Sequence, residues 1–251
     1  MRFADKVLFA TGAASGLAAA TARRFTAEGG RVVLADLDFS RAQAAAEGLA
    51  GAFAVACDVA DEASVAGAVA SARQRMGRID CVLNSAGHAF YMPIGETALS
   101  QWNRMLAVHV TGTFLVCKAV LPALREAGGG SIVNIASVAA LIGRKNLGAY
   151  SAAKGAVLAF SRQLAAELAP DNIRVNAIAP GSVRTAMTEP LAVTRGDGDW
   201  AKGAAIMAAD TLQKRIGDPA EIAAPICFLL SDEASFFTGS LMVPDGGMTA
   251  I

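Results

Sequence analysis

Net charge is missing: lysine and arginine number 22 together, and so do aspartate and glutamate. No global field draws the chain to nucleic acid or anionic lipid, so the expected partners are small molecules. Histidine is scarce, with only His88 and His109, and no His, Cys and carboxylate cluster has metal-ligand spacing; no catalytic metal is expected. The four cysteines, Cys57, Cys81, Cys117 and Cys227, stand singly in apolar runs without a Cys-x-x-Cys pair and read as buried thiols. The start, Met1-Arg-Phe-Ala-Asp5, lacks a signal-peptide hydrophobic region, and the most extended uncharged stretch, 127–143, is interrupted by Gly, Ser and Asn. No window reads as a membrane span, and a cytoplasmic protein is expected. Internal repeats and low-complexity linkers are absent too, and 251 residues fit one core, so a single domain over 1–251 is expected.

What is present is alternation. A short buried strand over 6–11 leads into the turn Gly12-Ala-Ala-Ser15-Gly16-Leu17-Ala18 and an amphipathic run to about residue 28. In such a turn Gly permits tight turning and close approach, and the helix N-terminus faces a pyrophosphate. The glycine spacing alone also fits an ordinary strand-to-helix turn. A second strand, 31–35, ends at Asp36, about 20 residues past the turn, where a dinucleotide fingerprint places the carboxylate for the adenosine ribose hydroxyls. A phosphate on that ribose would set another anion a few ångströms away, a penalty of roughly a few kcal/mol. Only Arg41 lies near enough in sequence to offset it, so NAD is expected over NADP.

Further strands are expected over 52–57, 79–84, 131–136, 173–178 and 241–243, and helices over 61–76, 100–126, from 149 to 168, and 219–230. The region 182–217 reads as long and irregular, a cover for substrate. The pattern predicts an α/β fold, a doubly wound Rossmann-type domain whose mostly parallel seven-stranded sheet is flanked by helices, with ligand at the carboxyl ends of the strands. Asp58, Asn84, Ser137 and Pro180 all fall at such ends.

One segment, Ser137 to Lys154, places a hydroxyl, a phenol and an ammonium close together. Tyr150 and Lys154 are four apart at the start of a helix and so share a face. Ionising a free phenol at neutral pH costs roughly 4 kcal/mol, and a cation at about 4 Å supplies an attraction of similar size at an effective dielectric of about 20. Lys154 is therefore expected to bring Tyr150 toward its working pH.

Taken in order, Thr11-Gly12-x-x-x-Gly16, Asp58-Val59, Asn84-Ser-Ala86-Gly87, Ser137, Tyr150-x-x-x-Lys154 and Pro180-Gly181-Ser-Val183-Arg-Thr185 resemble the motifs of the short-chain dehydrogenase/reductase family over essentially the whole chain. The resemblance implies interconversion of an alcohol and a ketone with NAD: Tyr150 exchanges the proton, Ser137 holds the reacting oxygen, and Lys154 also holds the nicotinamide ribose. It places cofactor contacts at Gly12, Ser15, Gly16, Leu17, Asp36, Asp58, Val59, Asn84, Ala86, Gly87, Pro180, Gly181, Val183 and Thr185, besides Tyr150 and Lys154. Asn84 is equally readable as a strand-end tie. The resemblance also implies a homotetramer built on the helices over 100–126 and 149–168.

Three positions depart from the family pattern. Ala18 replaces a third glycine, Ser85 stands where a second Asn is common, and His109 stands where Asn helps hold a water linked to the lysine. His109 is readable as a proton relay or as a packed histidine. Pocket segments over 88–94, 139–146 and 182–215 are mostly apolar, and an uncharged alcohol or ketone is expected, although Arg144, Lys145, Arg184 and Arg195 could bind an anion. A non-catalytic NAD-binding regulator and a sugar epimerase or dehydratase are the competing readings.

Overall fold

The computed structural model describes residues 1–250. Seven strands, β1 Val7–Thr11, β2 Arg31–Asp36, β3 Ala52–Ala56, β4 Cys81–Asn84, β5 Gly130–Ile135, β6 Ile173–Ile178 and β7 Leu241–Met242, form one sheet in the order β3-β2-β1-β4-β5-β6-β7. Every pairing is parallel. Helices on both faces cover the sheet, which is why its central strands are continuous apolar runs rather than alternating ones. Val7 and Phe9 pack against the helices α3 (Glu62–Met76), α5 (Gly112–Glu126) and α6 (Gly148–Leu168). Leu8 and Ala10 point the other way, to α1 (Gly16–Ala27), α2 (Phe39–Ala46) and α9 (Pro219–Leu230). The period of two along β1 thus divides the core between the faces.

Three details differ from the sequence expectation. α2 is additional; Asp38 caps it by accepting the Arg41 N–H at 3.1 Å. The region 182–217 is irregular only in part, since nearly half of it is helical, in α7 (Glu189–Arg195) and α8 (Trp200–Ala209). The long helix is a compound one: α4 (Leu99–Leu106), a π-helical turn (Ala107–Thr111) and α5. As one 28-residue rod, Leu99–Glu126 is long and apolar enough to cross a bilayer, which corrects the expectation that no window reads as a span. Half of its apolar window is buried inside the fold, where Leu115, Val116, Val120 and Leu124 pack on the sheet.

Candidate active site

The carboxyl ends of β1, β2, β4, β5 and β6 open onto a cleft of about 690 Å³. Gly12, Ser15, Gly16 and Leu17 line it from the first turn, with Asp36 at the end of β2 and Asp58 and Val59 after β3. Ala86, Gly87 and His109 form the middle. Ser137, Tyr150 and Lys154 face them, and Pro180, Gly181, Val183 and Thr185 close the side after β6.

Asn84 is the one expected site residue outside this lining. As the last residue of β4 it turns inward, where Nδ2 donates to Asn134 Oδ1 at 2.8 Å and to Cys117 Sγ at 3.3 Å. The tie between strands, rather than a cofactor contact, is what its side chain makes here. Its neighbours reach the cleft instead, because the buried Thr11 hydroxyl accepts the Ser85 N–H at 3.1 Å and the Ala86 N–H at 3.3 Å. Thr11 is a positioning residue that strand patterning alone does not reveal; its place just before the glycine turn was the available signal.

The reacting centre is built on two elements. Ser137 follows β5, and its Oγ accepts the Ala139 N–H at 3.1 Å, which leaves the hydroxyl proton free to donate into the cleft. Tyr150 and Lys154 stand one turn apart on α6, whose inner face Ala149, Ala153 and Val157 bury. The Lys154 ammonium donates to the Ile135 carbonyl at 2.7 Å and lies 5.7 Å from the Tyr150 ring centre.

Comparison with known proteins decides the family. Residues 12–249 match a family model described as enoyl-(acyl carrier protein) reductase. The 2-(S)-hydroxypropyl-CoM dehydrogenase 3 of Xanthobacter autotrophicus is 39% identical over 100% of this chain and 99% of its own. The trans-4-hydroxycyclohexanecarboxylate dehydrogenase of Sinomonas cyclohexanicum is 39% identical over 99% of this chain and 95% of its own. The crystal structure of levodione reductase superposes with a TM-score of 0.94 at 35% identity, covering 99% of each chain. The chain belongs to the short-chain dehydrogenase/reductase family. It is an oxidoreductase with the family's Rossmann-type fold.

Within this family member the electrostatics differ from the simple pairing of Tyr150 with Lys154. Burial pushes the Tyr150 phenol up to about 12, with the neighbouring Ser137 hydroxyl offsetting part of the rise. Burial also lowers Lys154 to about 7. Both groups are thus driven toward their neutral forms, and the expectation that Lys154 brings the phenol toward neutral pH is corrected for the protein alone. The cause is the burial of both groups; the ammonium is, besides, turned to the Ile135 carbonyl.

His109 is a packed residue, 1% exposed. Its Nε2 lies 2.8 Å from the His88 carbonyl oxygen and 3.2 Å from the His88 N–H; the shorter contact is to an oxygen that can only accept, which assigns the proton to Nε2. The other nitrogen, Nδ1, is buried without a partner. The ring meets Tyr150 edge-on at 5.6 Å and 88°. Burial, then the Lys154 charge, lowers its pKa to about 2. Burial therefore disfavours the imidazolium, and the contacts to the His88 carbonyl and the Tyr150 ring fit a packed, neutral histidine.

The dinucleotide end carries features that fit a phosphate-bearing cofactor. Gly12 and Gly16 adopt φ of 63° and 59°, where Gly alone is unstrained. The α1 N-cap, Ser15, makes no capping hydrogen bond, and the first turn holds no acidic residue. An anion therefore meets no internal competitor at that helix terminus. Asp36 accepts the Ala14 N–H through Oδ2 at 2.9 Å and the Asp38 N–H through Oδ1 at 3.0 Å, which fixes the carboxylate beside the turn. Ala18, in place of a third glycine, is fully buried in the core, so its methyl is accommodated.

Proposed function

We propose that the protein is an NAD-dependent oxidoreductase that interconverts a secondary alcohol and a ketone by hydride transfer, with Ser137, Tyr150 and Lys154 at the reacting centre. The observation that carries this reading is their meeting in one cleft whose far end is bounded by Asp36. Bound nicotinamide supplies the carbon that accepts or gives the hydride. Tyr150 takes the alcohol proton in oxidation and returns it to the carbonyl oxygen in reduction. Ser137 donates its free proton to that oxygen, so the oxygen is held while its charge develops. Lys154 has donors left beyond the Ile135 carbonyl to hold the ribose hydroxyls. The relatives named above as dehydrogenases of hydroxypropyl-CoM and hydroxycyclohexanecarboxylate support the alcohol chemistry.

The preference for NAD rests on Asp36, whose carboxylate faces the ribose end and would repel a 2′-phosphate. Arg41 also lines the cleft but follows on α2. The test is initial rates on a panel of secondary alcohols and ketones with each cofactor. NAD is expected to give the higher kcat/KM, and Asp36→Ala to narrow the difference by at least about tenfold, a change of about 1.4 kcal/mol. A wild-type preference for NADP would refute this account of Asp36.

We further propose a homotetramer joined through the outer faces of α5 and α6. Phe114 on α5 is 45% exposed and meets Phe160 of α6 at 6.3 Å, beside the exposed Ala152 and Ala159. The alanines allow close helix approach, and the aromatic pair supplies apolar area. Light scattering of the NAD-loaded protein tests this assembly; a monomer at micromolar concentration excludes it.

A further inference from the structure

The segment that covers the cleft is joined to the rest of the protein at few points. Val183 and Gly217 form an isolated parallel bridge, where the Arg184 N–H donates to the Gly217 carbonyl and the Gly217 N–H to the Ser182 carbonyl, both at 2.9 Å. The chain thus leaves the fold and returns to it at one neck. Just beyond the neck, Thr185, Ala186, Met187, Thr188 and Pro190 line the cleft.

α7 and α8 then form a hairpin that packs on itself. A Cβ at Gly203 would fall on the Ala192 carbonyl, so the two backbones touch, and no other helix or strand packs comparably on either helix. Their buried residues, Ala192, Ala204, Met207 and Ala208, belong to none of the hydrophobic clusters that cover the sheet. Core packing therefore does not hold this hairpin in place, and an element with so little apolar attachment is the kind that opens locally.

Arg144 supplies the missing tie. By sequence it could bind an anion, but in the structure its Nη1 lies 2.6 Å from Asp210 Oδ2 at the C-terminal end of α8, and its Nη2 donates to the Met248 sulfur. Among the described residues, this ion pair is the only hydrogen bond or ion pair that runs from 189–210 to the fold outside 182–217. Its other end is close to the chemistry. Arg144 stands in the chain between Ser137 and Tyr150, and two residues on the Asn146 carbonyl accepts the Met92 N–H at 2.9 Å, which pins the segment to the loop after β4.

Resting on the function proposed above, we propose that Arg144 is a positioning residue for substrate: its ion pair with Asp210 holds the α7–α8 hairpin closed over the reacting centre, and substrate enters when that pair opens. The hairpin turns about the neck as one body. Closed, it sets Met187, 38% exposed in the protein alone, where a bound alcohol or ketone covers it. Only the closed form binds productively, so apparent affinity scales with the closed fraction; weakening the pair raises KM and leaves the chemical step as it was.

Two measurements on the full chain loaded with NAD test this, backbone hydrogen exchange and steady-state rates on the panel of secondary alcohols and ketones. Arg144→Gln and Asp210→Asn should each speed exchange in 189–210 at least about threefold, within what a partly exposed ion pair supplies, with β1, β4, β5 and β6 exchanging as in the wild type. KM for the best substrate should rise by a similar factor, with kcat and NAD affinity within about twofold of wild type. The two substitutions together should add little to either alone, and Arg144→Lys, which keeps a cation opposite Asp210, should stay near wild type in both measurements. Unchanged exchange in 189–210, equal acceleration in the sheet, or additive effects of the two substitutions would overturn the proposal. Turnover of no substrate by the wild type would instead bring down the oxidoreductase reading, while exchange still reads the tie.

Discussion

Tyr150→Phe should leave NAD bound within a fewfold of wild type and lower turnover at least about a hundredfold, the lower end of what loss of a general acid–base group costs. The ring is held by packing that Phe keeps: it lies against the cluster of Met105, Ala149 and Ala153 and makes a T-shaped contact with the His109 ring. Only the transferable proton is removed. The same residue sets the pH dependence. Oxidation requires the phenolate, so its rate should rise as pH approaches the phenol pKa, and reduction requires the phenol, so its rate should fall over the same span. Burial places that pKa at about 12 in the protein alone, and a positively charged nicotinamide alongside would lower it. Lys154, at about 7, is a second ionisation. His109, driven toward its neutral form by burial, is expected to add none between pH 5 and 8. Tyr150→Phe should flatten the Tyr150 limb; near-wild-type turnover in this variant would take Tyr150 out of the mechanism.

How far the sequence could be read depended on whether a feature is local. The strands were legible because a two-sided parallel sheet demands apolar runs, and β1, β2 and β6 have few alternatives. The cleft was legible because motif residues at strand ends must converge in a doubly wound sheet. α2 escaped because it is only 8 residues long and buries a single alanine, Ala42, so it carries almost no periodic signal. α7 and α8 escaped for a similar reason, as Gly196 and Gly198 break the segment between them. Side-chain direction was the harder part. Asn84 has the expected position, yet strand alternation turns it into the core. The spacing of Tyr150 and Lys154 fixes a shared helix face, but the partner of the ammonium, Ile135, is 19 residues away. His109 was readable two ways until the His88 carbonyl, 21 residues away, took its Nε2 proton. The partners of Lys154 and His109 are thus long-range contacts that no local pattern encodes.

Gly12→Ala should weaken NAD by about thirtyfold or more, because two penalties meet at one methyl group. The backbone there sits at φ 63°, a left-handed conformation that costs an L-residue with a Cβ roughly 1–2 kcal/mol. The added Cβ would also stand 2.7 Å from Ala86 Cα and 2.9 Å from Ala86 N, closer than any carbon contact permits. That obstacle is main chain, and it cannot swing aside as a side chain would. The Ser85 and Ala86 N–H groups are both held by the Thr11 hydroxyl, one residue before Gly12. Relief therefore requires the glycine turn or the loop after β4 to move, and both line the cofactor cleft. A combined penalty of about 2 kcal/mol already corresponds to the thirtyfold loss, since about 1.4 kcal/mol is tenfold. Gly48→Ala is the matched control. Its φ is 76°, with nothing within 4 Å of the added carbon, so it carries the backbone penalty without the collision. Thermal melts should show both variants destabilised, while calorimetric titration with NAD should separate them, Gly48→Ala binding as wild type does. If Gly12→Ala binds NAD within about threefold of wild type, the close approach of the turn to Ala86 has no role in shaping the cofactor site.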